Sequence, residues 1–445
     1  MRVQSLQLTN FRNYPTLDVS FSPSKNIFLG NNGQGKTNLL EALYFLSHAR
    51  SHRTASDREL VRTGEPFARV QIQLGNHHYE GRTQLEAQIK QEEGRLRTVF
   101  KVNANTLRSR SELLGHLPTV SFFLPDLLLL RGSPEDRRHW LDAAIVQYDK
   151  RHLTYLSEFQ KVRQQKNRLL KGPPEHLSRE HLNAWNLQFA ATGAKLTVSR
   201  LTYLAMIEHL SAIAYMELSD GSEQLGLTYQ SASLDWLPST LTLRGGGDLR
   251  PPETENQFET SVVTEAVVSP VLGQINVPDV QSLELAMVRQ LEDKMQDEIR
   301  RGTSLVGPHR DDIRFFLSGM EAEAYGSQGQ QRSIVLALKL TELKCLNAKL
   351  QEPPVLLLDD VMAELDPDRQ RLLVEHIHPE SQVFMTTTHP SSSWQALLEH
   401  RPEEARDANP IAVFRVSQGI LESSVPFGLP SNLSPNLPQG VPMYD

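Results

Sequence analysis

The chain has 445 residues, too many for one ordinary core, so two or more lobes are expected. Hydrophobic residues at 39% and charged residues at 22% are globular values, which excludes a disordered or fibrous chain. A formal net charge of −7 excludes a uniformly basic nucleic-acid binder, although a local basic patch can still grip phosphate.

The opening MRVQSLQLTNFRNYP lacks the apolar core of a signal peptide, and no run approaches the roughly 18 apolar residues that cross a bilayer. A cytoplasmic protein without a membrane partner is expected. The single cysteine, Cys345, cannot form an internal disulfide and reads as a buried structural thiol. Alternation from Arg2 to Leu8 and from Leu17 to Phe21 predicts two strands, and Ile27-Phe28-Leu29 a third. Leu39, Leu40, Leu43, Tyr44 and Leu46 recur at helical spacing, so Lys36 to Ser47 is predicted as a helix. Val70 to Leu74 and Leu96 to Val102 read as further strands. From about Arg131 to Arg301 the texture changes to leucine-rich helical spacing, as in Trp140, Leu141, Ala144 and Ile145, then Leu196, Leu201, Leu204 and Ile207. Strand signals return at Ile313 to Leu317 and Val355 to Leu358.

The expected fold is α/β, with a discontinuous lobe I interrupted by an inserted, mainly helical lobe II. Residues 1–125 and 303–425 form lobe I, and residues 126–302 form lobe II. The Gly-, Pro- and charge-rich stretch 244–260 is expected to be a flexible loop. Residues 426–445, with Pro430, Pro435, Pro438 and Pro442, are expected to be disordered.

Gly30-Asn31-Asn32-Gly33-Gln34-Gly35-Lys36-Thr37 fits G-x-x-x-x-G-K-[ST] between a predicted strand and a predicted helix. Glycines let backbone N–H groups close around the phosphates of ATP, Lys36 reaches the β and γ oxygens, and Thr37 offers a hydroxyl to Mg²⁺. The apolar run Val355 to Leu358 ends in Asp359-Asp360, where the first carboxylate can hold Mg²⁺ and the second can orient the attacking water. Ser327-Gln328-Gly329-Gln330 resembles the ABC signature S-G-G-Q with Gln328 for the usual glycine; Ser327, Gly329 and Gln330 would then meet a γ-phosphate. Glu364-Leu365-Asp366 resembles a D-loop, and His389, after the apolar Val383-Phe384-Met385, resembles a switch histidine. The order of P-loop, signature, acidic strand end, D-loop and histidine is that of P-loop ABC-type ATPase heads.

Within that class three stretches resemble the RecF family: Leu8-Thr9-Asn10-Phe11-Arg12-Asn13-Tyr14; Pro125-Asp126 followed by Gly132 to Asp142; and Gly307 to Asp312 taken with Leu357 to Asp366. The resemblance spans Arg2 to about Phe414 and adds Arg12 to the ATP-binding residues. It implies a weak DNA-dependent ATPase that dimerises on ATP and binds gapped DNA without base specificity. It further implies action with RecR and RecO in loading RecA, in recombinational repair, replication and SOS induction. A transporter-like ABC subunit and an SMC-like clamp stay open as alternatives. Lys161, Arg163, Lys166 and Arg168, with Arg50 and Arg53, are the candidate phosphate contacts to DNA; the same run also fits a solvated helix face.

Overall fold

The computed structural model describes residues 2–54, 56–75, 82–92, 95–172, 178–219, 221, 223–233, 277–388 and 411–427. The stretch 244–260, the residues after 427 and His389 lie outside them.

The first sheet is antiparallel and runs β2-β1-β4-β5-β6-β7. Its strands are β1 (Arg2–Phe11), β2 (Tyr14–Ser20), β4 (Phe67–Gly75), β5 (Arg82–Glu92), β6 (Arg95–Val102) and β7 (Asn105–Thr106). A bulge between Val3 and Ser5 shifts the register of β1 against β4, so Val3 and Leu6 face the same core despite their odd spacing. The second sheet runs β15-β14-β3-β13-β12-β8. It comprises β3 (Lys25–Leu29), β8 (Thr119–Phe122), β12 (Val355–Asp359), β13 (Val383–Thr387), β14 (Ile411–Ser417) and β15 (Ile420–Phe427). All its pairings are parallel except β14 with β15.

Helix α1 (Lys36–His48) lies between the two sheets. Apart from Thr37 and Asn38 every residue of it is buried, which is why it is apolar around nearly its whole circumference. Its leucines pack with Leu6, Val70 and Ile72 of the first sheet and Phe28, Leu357 and Phe384 of the second. Strand periodicity sends the alternate residues Leu356, Leu358 and Met385 to the opposite face. There they meet Leu336, Leu340 and Leu343 of α7 (Gln328–Leu350) and Leu373 of α8 (Pro367–His376).

Helices α2 (Pro134–Tyr148), α3 (Arg151–Leu170), α4 (Arg179–Leu218) and α5 (Val280–Arg301) form the helical part. At 40 residues α4 is roughly 60 Å long and carries packing surfaces for α3, α5 and α7. The strand at Ile313–Leu317, β10 (Asp312–Leu317), joins neither large sheet. It pairs with β9 (Leu225–Gln230) and β11 (Met320–Glu321) in a three-stranded sheet packed on α4. The short α6 (Ala322–Tyr325) leads from there into α7.

Candidate nucleotide site

The loop Gly30–Thr37 leaves β3 and turns into α1, and two of its glycines are required by their surroundings. A Cβ on Gly30 would sit 2.3 Å from the Val416 carbonyl oxygen; Gly35, at φ 113°, faces Asn13 and the Tyr14 hydroxyl at under 3 Å from such a carbon. The Tyr14 hydroxyl donates to the Gly35 carbonyl (3.0 Å) and Asn13 to the Gln34 carbonyl (3.0 Å). From the other side the Gln418 and Gly419 amides donate to Gln34. The turns β1–β2 and β14–β15 thus fix the loop from both flanks. Asn31, Asn32 and Gly33 remain exposed at its tip.

Lys36 is buried, and its ammonium donates to the Gly30 carbonyl at 2.6 Å while lying 3.6 Å from Asp360. Thr37 donates to Asp359 Oδ1 at 2.9 Å across 322 residues of sequence. Thr386 donates to the same oxygen at 2.7 Å, and its own hydroxyl accepts from the Asp360 amide. Burial raises the Asp359 carboxyl above its ordinary value, partly offset by the Thr386 and Thr37 hydrogen bonds. Asp359 is a buried carboxylate held by the Thr37 and Thr386 hydroxyls, and a divalent cation fits that place. Magnesium needs few protein oxygens because it keeps water and phosphate ligands.

Arg12 sits in the left-handed region (φ 53°) and forks onto the wholly buried Glu41 of α1, at 2.8 and 2.6 Å. Arg53 reaches Asn38 at 2.8 Å and Glu41 at 3.5 Å. Both arginines therefore border the first turns of the P-loop helix.

Ser327 caps α7 and forms a reciprocal capping box with Gln330, leaving Ser327 exposed and Gly329 half-buried at the helix N-terminus. Among the described residues no hydrogen bond joins this turn to the P-loop. Arg332 ties α7 to Glu364 through both its carbonyl (2.6 Å) and its carboxylate (2.7 Å). Leu365 is buried, and Asp366 caps α8.

Helix α2 and the strand β10 meet in space. Arg137 forks onto Asp312 at 2.8 and 2.9 Å, with both groups nearly buried. Asp142 takes a second fork from Arg200 and a hydrogen bond from His152; burial pushes its carboxyl up, but these two partners outweigh that and hold it well below the carboxylate range.

The basic candidates separate. Lys161 and Arg168 are exposed, Arg163 is half-buried, and Arg50 donates to the His139 carbonyl. Lys166 is corrected: its side chain is 0% exposed, its ammonium lies 2.7 Å from Glu298, and it stands 4.5 Å over the Phe189 ring, so it is no surface phosphate contact. Asn13, Tyr14, Glu41 and Thr386 were not anticipated. For Asn13 and Tyr14 the only sequence sign is their place within the stretch from Leu8 to Tyr14.

A P-loop entering a buried helix, an acidic strand end one strand removed from the P-loop strand in a parallel sheet, and a serine-capped signature helix on the sheet's far face define an ABC-type ATPase head. The family model of the RecF/RecN/SMC N-terminal domain matches residues 2–400. The DNA replication and repair protein RecF of Picosynechococcus sp. is 35% identical over 432 residues, covering 95% of this chain and 97% of that protein. RecF of Macrococcus caseolyticus is 35% identical over 426 residues, covering 95% and 100%. A solved structure of the recombination mediator protein RecF-ATP superposes with a TM-score of 0.76 at 27% identity, covering 95% of this chain and 98% of that one. The chain belongs to the RecF family of DNA replication and repair proteins, as its motifs implied. Among the described residues no helix is long and apolar enough to cross a membrane.

Proposed function

We propose that the protein binds ATP with Mg²⁺ and hydrolyses it slowly in a DNA-dependent manner as a recombination mediator. The observation that carries this reading is the Thr37–Asp359 hydrogen bond, which joins the P-loop to the acidic strand end with Lys36 and Asp360 alongside. Gly30 to Thr37 line the phosphates. Lys36 exchanges its bonds to the loop carbonyls for phosphate oxygens, and Thr37 and Asp359 hold the magnesium, which spreads phosphate charge. Asp360 orients the attacking water, His389 takes the role of the switch histidine, and Arg12 borders the nucleotide beside α1.

Ser327, Gly329 and Gln330 serve the site of a second copy, with Glu364, Leu365 and Asp366 between the two sites. One chain holds one P-loop and one signature, so a two-fold dimer completes both sites and ATP binding is linked to dimerisation. Lobe I comprises residues 1–125 and 303–425, and lobe II residues 126–302. DNA at gaps is held through phosphates by Lys161, Arg163, Arg168, Arg50 and Arg53. We further infer action with RecR and RecO in loading RecA, and in SOS induction, a reading that family membership supports. The solved relative's place in the RecFOR pathway supports it.

ATP turnover and sedimentation with and without gapped DNA test the reading. Turnover should rise with gapped DNA, and the ATP-bound protein should sediment as a dimer. An ATPase indifferent to DNA would support a transporter-like or clamp role instead.

A further inference from the structure

A cavity of about 1190 Å³ lies between the two lobes, at the opposite end of α1 from the P-loop. His48 in its wall lies twelve residues beyond Lys36, roughly 18 Å along the helix, so the cavity is separate from the phosphate loop. Its wall carries rings in contact: His52 stacks on Phe123 (centroids 3.6 Å, 7° between planes), Tyr44 stacks on His48 (3.8 Å), and Tyr44 meets Phe123 edge-on. Nδ1 of His52 is buried without a hydrogen-bond partner among the described residues. Burial lowers the His52 pKa to about 3, so the ring is neutral at physiological pH and can donate or accept one hydrogen bond.

Charged groups complete the wall. Lys339 and Glu342 are buried there 3.3 Å apart, and Trp140 donates to Glu342 at 2.7 Å. A hydrophobic pair would fill this wall at less desolvation cost, so its donor and acceptor suit a polar ligand edge. Arg50 and Arg131 also line the cavity, and neither is paired with a carboxylate among the described residues; they hold only Tyr44, the His139 carbonyl and Gln331. Arg53 lines the same cavity while touching Asn38 and Glu41 of α1.

We propose that this cavity is a second ligand site that takes one nucleotide unit, its base against the outer face of His52, which Phe123 backs, and its phosphate on Arg50 and Arg131. Aromatic faces accept any base, and guanidinium groups accept phosphate without reading sequence. The cavity is roomier than a single nucleotide needs but leaves no room for duplex, so the unit comes from a free nucleotide or from an unpaired stretch of a strand. A strand as source rests on the DNA-binding reading above. Through Arg53 and α1, occupancy of this cavity is coupled to the P-loop end of the same helix.

The test uses the full chain with its P-loop saturated by a non-hydrolysable ATP analogue, and an oligothymidylate carrying 5-iodouracil. Photocrosslinks should map to the segments 48–53 or 121–140. Phe123→Leu, which stays apolar but removes the ring that holds His52 in place, should lower their yield by about tenfold. Arg131→Gln, at an exposed side chain, should lower it as well and serves if the Phe123 variant does not fold. Thymidine monophosphate should quench tryptophan fluorescence in the unmodified chain but not in W140F if free nucleotides enter; crosslinking without such quenching assigns the site to strands. Crosslinks confined to other segments at unaltered yield, with no Trp140-dependent quenching, overturn the proposal. Salt-sensitive oligonucleotide binding measured by anisotropy in the same samples keeps the DNA-binding reading standing in that case. Its loss with quenching intact would sink that reading and leave the cavity site.

Discussion

Replacing Lys166 by methionine separates a buried ion pair from a DNA contact. Both side chains of the Lys166–Glu298 pair are 0% exposed, and Glu298 also accepts from the Leu305 amide at 2.8 Å. Lys166→Met removes the ammonium over Phe189 and strands a buried carboxylate, which costs about 3–5 kcal/mol. Adding Glu298→Gln removes that charge and preserves an acceptor for Leu305, so the double variant should return to within about 1–2 kcal/mol of the parent. Urea unfolding followed by circular dichroism, compared by midpoint because a two-lobed chain need not unfold in one step, reads the difference. A midpoint unmoved by Lys166→Met, together with weakened oligonucleotide affinity, would refute the buried pair and restore Lys166 to the surface.

Asp360→Asn should retain ATP binding and slow hydrolysis by about 10²-fold or more, whereas Lys36→Ala should weaken binding itself; equilibrium binding and single-turnover rates check both. Lys161→Gln with Arg168→Gln should reduce affinity for all DNA sequences alike and flatten its salt dependence, as anisotropy across a salt series will read; an unchanged slope rejects the contact. Burial, helped by Arg163, Arg310 and Arg138 nearby, holds His309 neutral with a pKa of about 3. Below pH 6.5 the unfolded chain takes up the proton first, so stability falls as pH drops: this group alone should cost about 1.4 kcal/mol between pH 7.5 and 5.5, and His309→Gln should lose that slope in urea titrations at both pH values. Ser327→Arg should leave ATP binding by the monomer nearly intact while blocking ATP-dependent dimerisation and turnover; sedimentation of an unmodified protein that stays monomeric at saturating analogue, yet turns over ATP fully, would exclude a shared site.

The P-loop was legible because its chemistry is local: glycine at tight positions, lysine and threonine at the helix start. The acidic strand end was legible because β12 is covered on both faces and so reads as an unbroken apolar run. β5, in contrast, carries Arg82-Thr83-Gln84-Leu85-Glu86-Ala87-Gln88-Ile89, where Leu85, Ala87 and Ile89 are buried but the polar residues between them, the buried Glu86 included, mask the pattern. The reach of Asn13 and Tyr14 to the P-loop depends on a hairpin folding back, which no window of sequence contains. Lys166 is instructive because a charge looks the same in sequence whether solvated or paired. His152, Phe159 and Lys166 recur seven residues apart and lie on one buried face of α3, a spacing that could have set Lys166 apart from Lys161 and Arg168.

The signature and the acidic end of β12 do not touch, yet they are mechanically one piece. Ser327 opens α7, and one turn later Arg332 and Ser333 hold the segment after β12, Arg332 through Glu364 and Ser333 through Arg369 at 2.7 Å. Between Glu364 and Asp359 lie four residues, beginning with Asp360, whose left-handed backbone (φ 52°) ends the strand and lets its carboxylate face Lys36. Asp tolerates that conformation better than a β-branched residue would. If a second copy meets Ser327, as proposed, its pressure would load Arg332 and Arg369, and with them the loop that sets Asp360 against the P-loop lysine. Coupling between partner contact and water orientation then needs no large rearrangement: two arginine clamps and a six-residue stretch of backbone suffice to carry it.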